Sequence, residues 1–440
     1  MTITGLLLVI LYIALACTPA MLAALIGPQG NDFLYELGKS AALTGLTILF
    51  LQIVLSARWK WTTRPFGLDI VLRYHRNMAV FAGFLLVVHP LLLAAGGYGW
   101  GMLLTLDVPW FIWVGKIALA ILLLNLLASG FRKRLGVTFE RWRCLHNIFG
   151  VLLVIGIFVH SWYAGSDLQI AALQGVWIVL LAGGLAIYIH HRFIRPTRQR
   201  QRLYQVTAVN PEAEDVWTLE LEPPEGESTY AYLPGQFHFF TLYRGRELPT
   251  EEHHFTISSS PTRPGRVTST IKAVGDFTST IGNTKVGDQA AVQGAFGRFS
   301  YRLHPEERDL VFIVGGIGIT PLMSMLRSMR DEQEDYRVLL LYGNRNESSI
   351  VFRDELAEIE AGDYPQLQVA HILSDPDDNW TGLRGFIDRD VLDHYVGNDI
   401  SGKVFYVCGP APLMTMTLSN LKQMGVKDGQ IRNEIFALVD

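Results

Sequence analysis

The chain has 440 residues, 50% of them hydrophobic and 18% charged, with a mean hydropathy of +0.24. It is too long for one ordinary domain, and the composition calls for a membrane portion beside any soluble one. A formal charge of -4 argues against a nucleic-acid partner, and Cys17, Cys144 and Cys408 have no spacing suited to a metal or disulfide framework.

Six apolar segments reach spanning length, at about 3–26, 39–56, 74–95, 110–129, 145–164 and 170–190. Pro19 falls in the first, where neighbouring helices can tolerate it. Ala14-Leu15-Ala16-Cys17 faintly resembles a lipoprotein cleavage site, but no basic residue precedes it and the apolar run continues. The first span is therefore expected to be retained. Arg58, Lys60, Arg64 and Arg73 lie between spans two and three, and Arg132, Lys133, Arg134, Arg141 and Arg143 between four and five. Arg192, Arg195, Arg198, Arg200 and Arg202 follow span six. The intervening loops, near 27–38, 96–109 and 165–169, hold Asp32, Glu36, Asp107 and Asp167 but no lysine or arginine. Basic loops stay inside, so both termini are expected in the cytoplasm of a multi-pass protein of the cell's inner (plasma) membrane.

Span three carries His75 and His89, and span five carries His146 and His160, each pair 14 positions apart. On a helix, 14 steps end roughly 40° short of whole turns and about 21 Å higher, so each pair shares one face at two depths. Side by side, His75 faces His146 near the cytoplasmic level and His89 faces His160 near the outer one. Ionisable groups in hydrocarbon normally face the bundle interior with a partner. Two bis-imidazole haem sites fit this ladder, whereas tetrahedral zinc would need four ligands at one level. Arg73, Arg141 and Arg143 flank the inner level, either as ordinary positive-inside charge or as partners for haem propionates. His190 and His191 close the sixth span as interface anchors.

From about residue 200 the pattern becomes water-soluble. Strand-like runs at Tyr204–Val209, Val216–Leu221, Phe237–Tyr243 and Val267–Val274, split by proline and glycine turns, predict a small antiparallel barrel. After about 304, strand and helix alternate: Leu310–Val314, Pro321–Arg330, Arg337–Tyr342, Val351–Glu360, Val404–Val407 and Pro412–Leu421. That alternation predicts a parallel α/β domain. The expected architecture is a membrane α-helical six-span bundle (1–195), an antiparallel β-barrel domain (200–303) and an α/β nucleotide-binding domain (304–440).

The barrel contains Pro234-Gly235-Gln236-Phe237, then His253-His254-Phe255-Thr256-Ile257-Ser258-Ser259, then Lys272-Ala273-Val274-Gly275-Asp276-Phe277-Thr278. These runs resemble the flavin-binding half of the ferredoxin–NADP reductase superfamily. Joined to six spans with paired histidines, the whole resembles the ferric reductase and NADPH oxidase family, its bacterial members most closely, from about residue 40 onward. The resemblance implies Phe255 against the flavin ring, Thr256 at its redox-active nitrogen, with Ile257 beside them in the same motif. It implies His253, Lys272, Gly275 and Thr278 around the phosphates or ribityl chain, Thr278 through its backbone N–H at a short helix start. His254 stands where the family usually has proline, a departure that bears on the local backbone angle.

Gly315-Gly316-Ile317-Gly318-Ile319-Thr320-Pro321 follows an apolar strand and opens a helix, where glycines allow close backbone approach and the helix N-terminus favours a pyrophosphate. The family resemblance extends to this turn with Thr320, and to Cys408-Gly409-Pro410 near the nicotinamide ring. Arg345, in Tyr342-Gly343-Asn344-Arg345, could pair with a 2′-phosphate, and 343–346 lacks an acid for a free ribose; NADPH is expected, with NADH possible. Phe436 corresponds to the aromatic that covers the flavin until nicotinamide displaces it. Cys408, Thr256 and Phe436 are thus the expected residues at the reacting rings.

A nicotinamide yields two electrons as hydride and a haem takes one, so FAD belongs between NADPH and two b-type haems. The expected function is electron transfer from cytosolic NADPH to an outer acceptor, dioxygen giving superoxide, a ferric chelate, or a periplasmic protein. No particular protein partner is evident. A haem carrier or proton pathway with a regulatory nucleotide module is the non-enzymatic alternative, and a hydride-donor site argues against it.

Overall fold

Side-chain caps and a glycine set where the first membrane helices begin. Thr2 accepts a hydrogen bond from Gly5 N (3.2 Å) and Asp32 from Leu34 N (2.8 Å), satisfying orphan donors at the first two helix starts. Gly67, at φ 91°, turns the chain into the third. The computed structural model describes residues 2–28, 32–397 and 399–434, and Phe436 lies outside them. The chain divides into two compact units, with the division falling between Arg195 and Pro196 in the sequence.

The first unit has six helices long and apolar enough to cross a membrane: Ile3–Ile26, Phe33–Ser56, Leu68–Tyr98, Trp110–Phe131, Phe139–Ala164 and Ala171–Arg200. Spans two, three and five begin about six residues before the expected starts. Asp69 and Arg73, like Glu140, Arg141 and Arg143, continue the helix while lowering the local hydropathy that marks a span. The second span is central, with 61% of its apolar window buried against 11–22% for the others. Span two packs along span three and span four along span five, giving two antiparallel helix pairs. Trp177, Leu46, Ile48 and Ala82 sit in their shared core.

The second unit holds two six-stranded sheets. Strands β1 (Tyr204–Ala213), β2 (Val216–Glu222), β3 (Phe237–Tyr243), β4 (Glu252–Thr256), β5 (Val267–Lys272) and β6 (Gln289–Phe296) form an antiparallel sheet in the order β4-β3-β6-β1-β2-β5. Ser258 N donates to the Thr268 carbonyl at 2.9 Å, which draws the segments at its two edges together as a barrel. Inside, His238 is fully buried between Tyr230 and Ser269, bonded to both, and burial pushes its pKa down to about 3.

Strands β7 (Asp309–Gly315), β8 (Arg337–Asn344), β9 (Gln366–Leu373), β10 (Leu383–Arg384), β11 (Lys403–Cys408) and β12 (Ile431–Glu434) pair in parallel in the order β10-β9-β8-β7-β11-β12. Helices Ile319–Asp331, Arg353–Glu360, Arg389–Val396 and Ala411–Gln423 follow strands of this sheet. Both faces are covered, so β7 and β11 read as unbroken apolar runs rather than alternating ones. The chain order reverses between β7 and β11, and ligands of open α/β sheets bind outside the carboxyl ends of strands at such a point.

Candidate functional site

Three of the four span histidines are held by one device repeated. His89 Nδ1 donates to the Gly38 carbonyl (2.9 Å), His160 Nδ1 to the Phe111 carbonyl (2.9 Å) and His146 Nδ1 to Asn125 Oδ1 (3.0 Å). His75 Nδ1 is buried without a well-formed bond, with the Gln52 main chain beside it. Gly38 and Gln52 are themselves 14 positions apart on span two, and Phe111 and Asn125 are 14 apart on span four. Antiparallel pairing therefore carries the ligand spacing into a matching set of acceptors. An acceptor on Nδ1 fixes the tautomer and orientation that leave Nε2 for a metal.

The rings of His75 and His146 lie 6.3 Å apart between centroids, at 69°. Two metal–nitrogen bonds of about 2 Å each, with the ring radii added, require about 6 Å. The pair thus has the spacing of two imidazoles on opposite sides of one ion. His146 is also stacked on Trp142 at 5.1 Å, and Trp142 Nε1 donates to Ser129 Oγ at 3.1 Å. At the other level, a Cβ on Gly115 would come within 2.5 Å of His160 Nδ1, so this glycine makes room for the ring.

Two cations near the second level were not legible as such in the sequence. Lys39, next to Gly38, bonds Asp167 at 3.0 Å and Glu36 at 2.9 Å, and Asp167 is 3% exposed. Lys116, next to Gly115, donates to the carbonyls of Met102, Leu103 and Thr105 at 3.2, 3.3 and 2.7 Å. Both fall inside helices whose apolar character hides them.

In the barrel, His254 sits within regular strand, paired opposite Phe239, so the residue in place of proline is accommodated by extended backbone. Its ring packs on Phe237 and Phe239, each at 5.7 Å. His253 and Phe255 point to the other face, as alternation requires. His253 stacks on Phe277 at 4.1 Å and bonds Glu251 at 2.9 Å, while Phe255 packs on Phe240 at 4.9 Å. Thr256 ends β4 opposite Phe237, and Ile257 is fully buried, its N–H donating to Gln236 O at 2.9 Å. The Thr278 hydroxyl accepts from Val274 N and Gly275 N at 3.0 and 2.8 Å, closing the loop that follows Lys272, the exposed last residue of β5. Thr278 opens a short 3-10 helix, Thr278–Asn283.

Arg244 and Arg327 went unrecognised in the sequence because their partners are distant in it. The Arg244 guanidinium lies over Phe277 at 5.0 Å and donates to Thr280 O and Thr280 Oγ1, both at 2.8 Å. It braces the ring on which His253 stacks. Arg327, on the helix after the glycine turn, is clamped by Glu355 and donates to Ser258 O at 2.7 Å. Beside it, Ser324 Oγ donates to Ser259 O at 2.6 Å. The flavin-type motif and the glycine-turn helix are thereby tied together.

The glycine turn meets Cys408-Gly409-Pro410 directly. A Cβ on Gly318 would lie 2.5 Å from Cys408 O, and one on Gly315 would lie 3.0 Å from Pro410 Cδ. Thr320 is buried and donates to Ile317 O at 3.0 Å, while the Tyr342 hydroxyl donates to Gly316 O at 3.1 Å. Cys408 is fully buried, and desolvation, with the Glu434 carboxylate adding to it, pushes its thiol well above the usual range. It is held as a neutral thiol, not as a nucleophile. Arg345 is exposed at the end of β8 and pairs with Asp375 at 3.3 Å. No acid occupies 343–346, but the turn after β9 brings one to the same place.

A family model described as ferric reductase like transmembrane component matches residues 41–157, and one described as oxidoreductase NAD-binding domain matches 312–419. This chain is a membrane-bound, NAD(P)H-dependent oxidoreductase. It joins a ferric reductase-like membrane component to a nicotinamide-binding module. The oxidoreductase is 25% identical, over 66% of its own length and 92% of the relative's, to the plasma membrane-associated coenzyme Q6 reductase of Saccharomyces cerevisiae. It is 32% identical to the stachydrine N-demethylase reductase subunit of Rhizobium meliloti, over 51% of this chain and 64% of that one. Among solved structures it is similar to the FAD/NAD-binding domain of a nitric oxide dioxygenase from Vibrio cholerae, with TM-score 0.48 and 23% identity, over 53% of this chain and 97% of that one.

Proposed function

We propose that this oxidoreductase moves electrons from cytosolic NADPH, through FAD and two b-type haems, to dioxygen on the outer face, giving superoxide. His75 with His146, and His89 with His160, are the residues that would hold the haems. The observation that carries this reading is the 6.3 Å spacing of the His75 and His146 rings, with acceptors on Nδ1 of His89, His146 and His160 that leave Nε2 free for a metal. When bound, flavin takes two electrons as one hydride and releases them singly, and haem iron accepts one at a time. The protein supplies position and insulation. Phe255 and Thr256 would orient the flavin ring, Arg244 and Phe277 brace His253, and Arg327 fixes the barrel against the nucleotide helix. Cys408 and Phe436 would line the nicotinamide approach.

The proposed domains are a di-haem bundle (1–195), an FAD-binding barrel (200–303) and an NAD(P)H-binding domain (304–440). The basic loops support cytoplasmic termini in a plasma membrane. At the opposite end, Asp32, Glu36, Asp107 and Asp167 outnumber Lys39 and Lys116, and both lysines are engaged by neighbours. That balance favours an uncharged acceptor over an anionic ferric chelate. Purified protein supplied with NADPH is expected to consume oxygen and form superoxide much faster than it reduces ferric citrate without oxygen. Rapid ferric reduction with negligible oxygen uptake would reverse the assignment.

NADPH preference rests on Arg345, with Asp375 opposing it. Arg345→Ala is expected to raise KM for NADPH about tenfold, roughly 1.4 kcal/mol, and to leave KM for NADH nearly unchanged. Asp375→Ala should shift preference further toward NADPH. Equal losses for both nucleotides in Arg345→Ala would remove the phosphate role.

A further inference from the structure

We propose that Tyr12, on the first span, is a positioning residue for His75, acting through Gln52, whose side chain it anchors and whose main chain faces the imidazole. The first span lies outside the matched membrane region and only 11% of its apolar window is buried. Its length and composition ask nothing of it beyond lipid contact. Yet the Tyr12 hydroxyl reaches span two, where it accepts a hydrogen bond from Gln52 Nε2 at 3.2 Å. Its ring meets Tyr74, the neighbour of His75, edge-on at 5.2 Å. A hydroxyl and an amide meeting inside a bundle stand against a desolvation cost, which their pairing offsets.

Gln52 is 6% exposed, and its Nε2 also donates to Ile48 O at 3.1 Å. Two acceptors therefore fix the amide plane. The opposite atom, Oε1, is buried and unpaired, while the group facing His75 Nδ1 is the Gln52 main-chain carbonyl, in a contact short of a well-formed bond. Buried polar atoms are nearly always paired, so the alignment of His75 turns on how the Gln52 segment of span two is held. The other three span histidines have acceptors supplied by a rigid carbonyl or by Asn125. His75 depends on Gln52, and Gln52 depends on Tyr12. Weakening the acceptor makes an imidazole ligand less basic and favours the reduced metal.

The inference rests on the haem reading of His75 and His146, and wild-type protein tests that reading first: fewer than two low-spin haems would refute it before any variant is made. With two present, Tyr12→Phe keeps the ring against Tyr74 and removes only the hydroxyl. Redox titration of the full-length protein, followed optically and by EPR, should show one midpoint moved to more positive potential and the other unmoved. Gln52→Leu should move the same haem further, and that haem should be the one shifted by Asn125→Ala, which acts on the partner ligand. A Tyr12→Phe protein with both midpoints and both EPR signals unchanged overturns the proposal. So does an equal shift of both haems, which would mean general loosening of the bundle, or a shift confined to the haem that Asn125→Ala leaves alone.

Discussion

In His89→Ala, reduction of the flavin by NADPH is expected to stay within about twofold of wild type, while delivery to the outer acceptor falls about 100-fold or more, roughly 2.7 kcal/mol. The asymmetry follows from where the residue acts. His89 lies 14 positions, about 21 Å, along the same helix from His75, and its Nδ1 is bonded to Gly38 on span two, so its removal affects a single level of the ladder. Gly38 lies inside the span-two helix, where its carbonyl keeps the intrahelical donor, so span two is left in place. His75 and His146 keep their own spacing of 6.3 Å. The variant should therefore retain one low-spin haem signal and lose the other. Loss of flavin reduction as well would contradict the division of labour.

Gly318→Ala should be nearly as damaging, at the other end of the route. Gly318 has φ -59°, which any residue adopts, so its substitution introduces no backbone strain. The harm is steric. The added methyl would lie 2.5 Å from Cys408 O, 2.8 Å from Cys408 C and 2.9 Å from Gly409 Cα, all main-chain atoms of an interior strand end. They cannot yield as the end of a flexible side chain would, so the turn and the Cys408 segment must part. Overpacking of this kind costs about 1–3 kcal/mol, and misplacing reacting groups by 1 Å can lower a rate about 100-fold. NADPH-driven flavin reduction should fall by that order, with haem spectra unchanged. Gly316→Ala provides the contrast: its methyl meets no protein atom within 4 Å, and the cost is the positive φ of 52°, about 1–2 kcal/mol. If Gly318→Ala behaves no worse than Gly316→Ala in stability, the two motifs are not in the contact described.

The parts that could be read from sequence are those where physics leaves few alternatives. Histidines in hydrocarbon demand partners, and matched 14-residue spacing on two spans names them. Glycine turns after apolar strands likewise announced the nucleotide side, and β7 and β11 bring those turns together as adjacent parallel strands. What escaped was whatever is supplied by main chain or by distance. The Gly38 and Phe111 carbonyls carry no residue signature, although their spacing repeats that of the ligands. Arg244, Arg327 and Asp375 acquire meaning only through partners 28 to 69 positions away. Helices start at Phe33, Leu68 and Phe139, earlier than the hydropathy marks, because charged residues at the membrane surface continue a helix that hydropathy stops counting. Short β4, five residues with two histidines in it, showed no alternation clear enough to mark as a strand.

The claim at the centre is that nicotinamide, flavin and two histidine levels form one route. Stopped-flow absorbance of the full-length protein mixed with NADPH without oxygen tests it most directly. The account predicts flavin bleaching first, followed by reduction of two spectrally low-spin haems, the second trailing the first, and none of it without flavin. Haem reduction that precedes flavin bleaching, or a reduced flavin beside haems that stay oxidised, would contradict it.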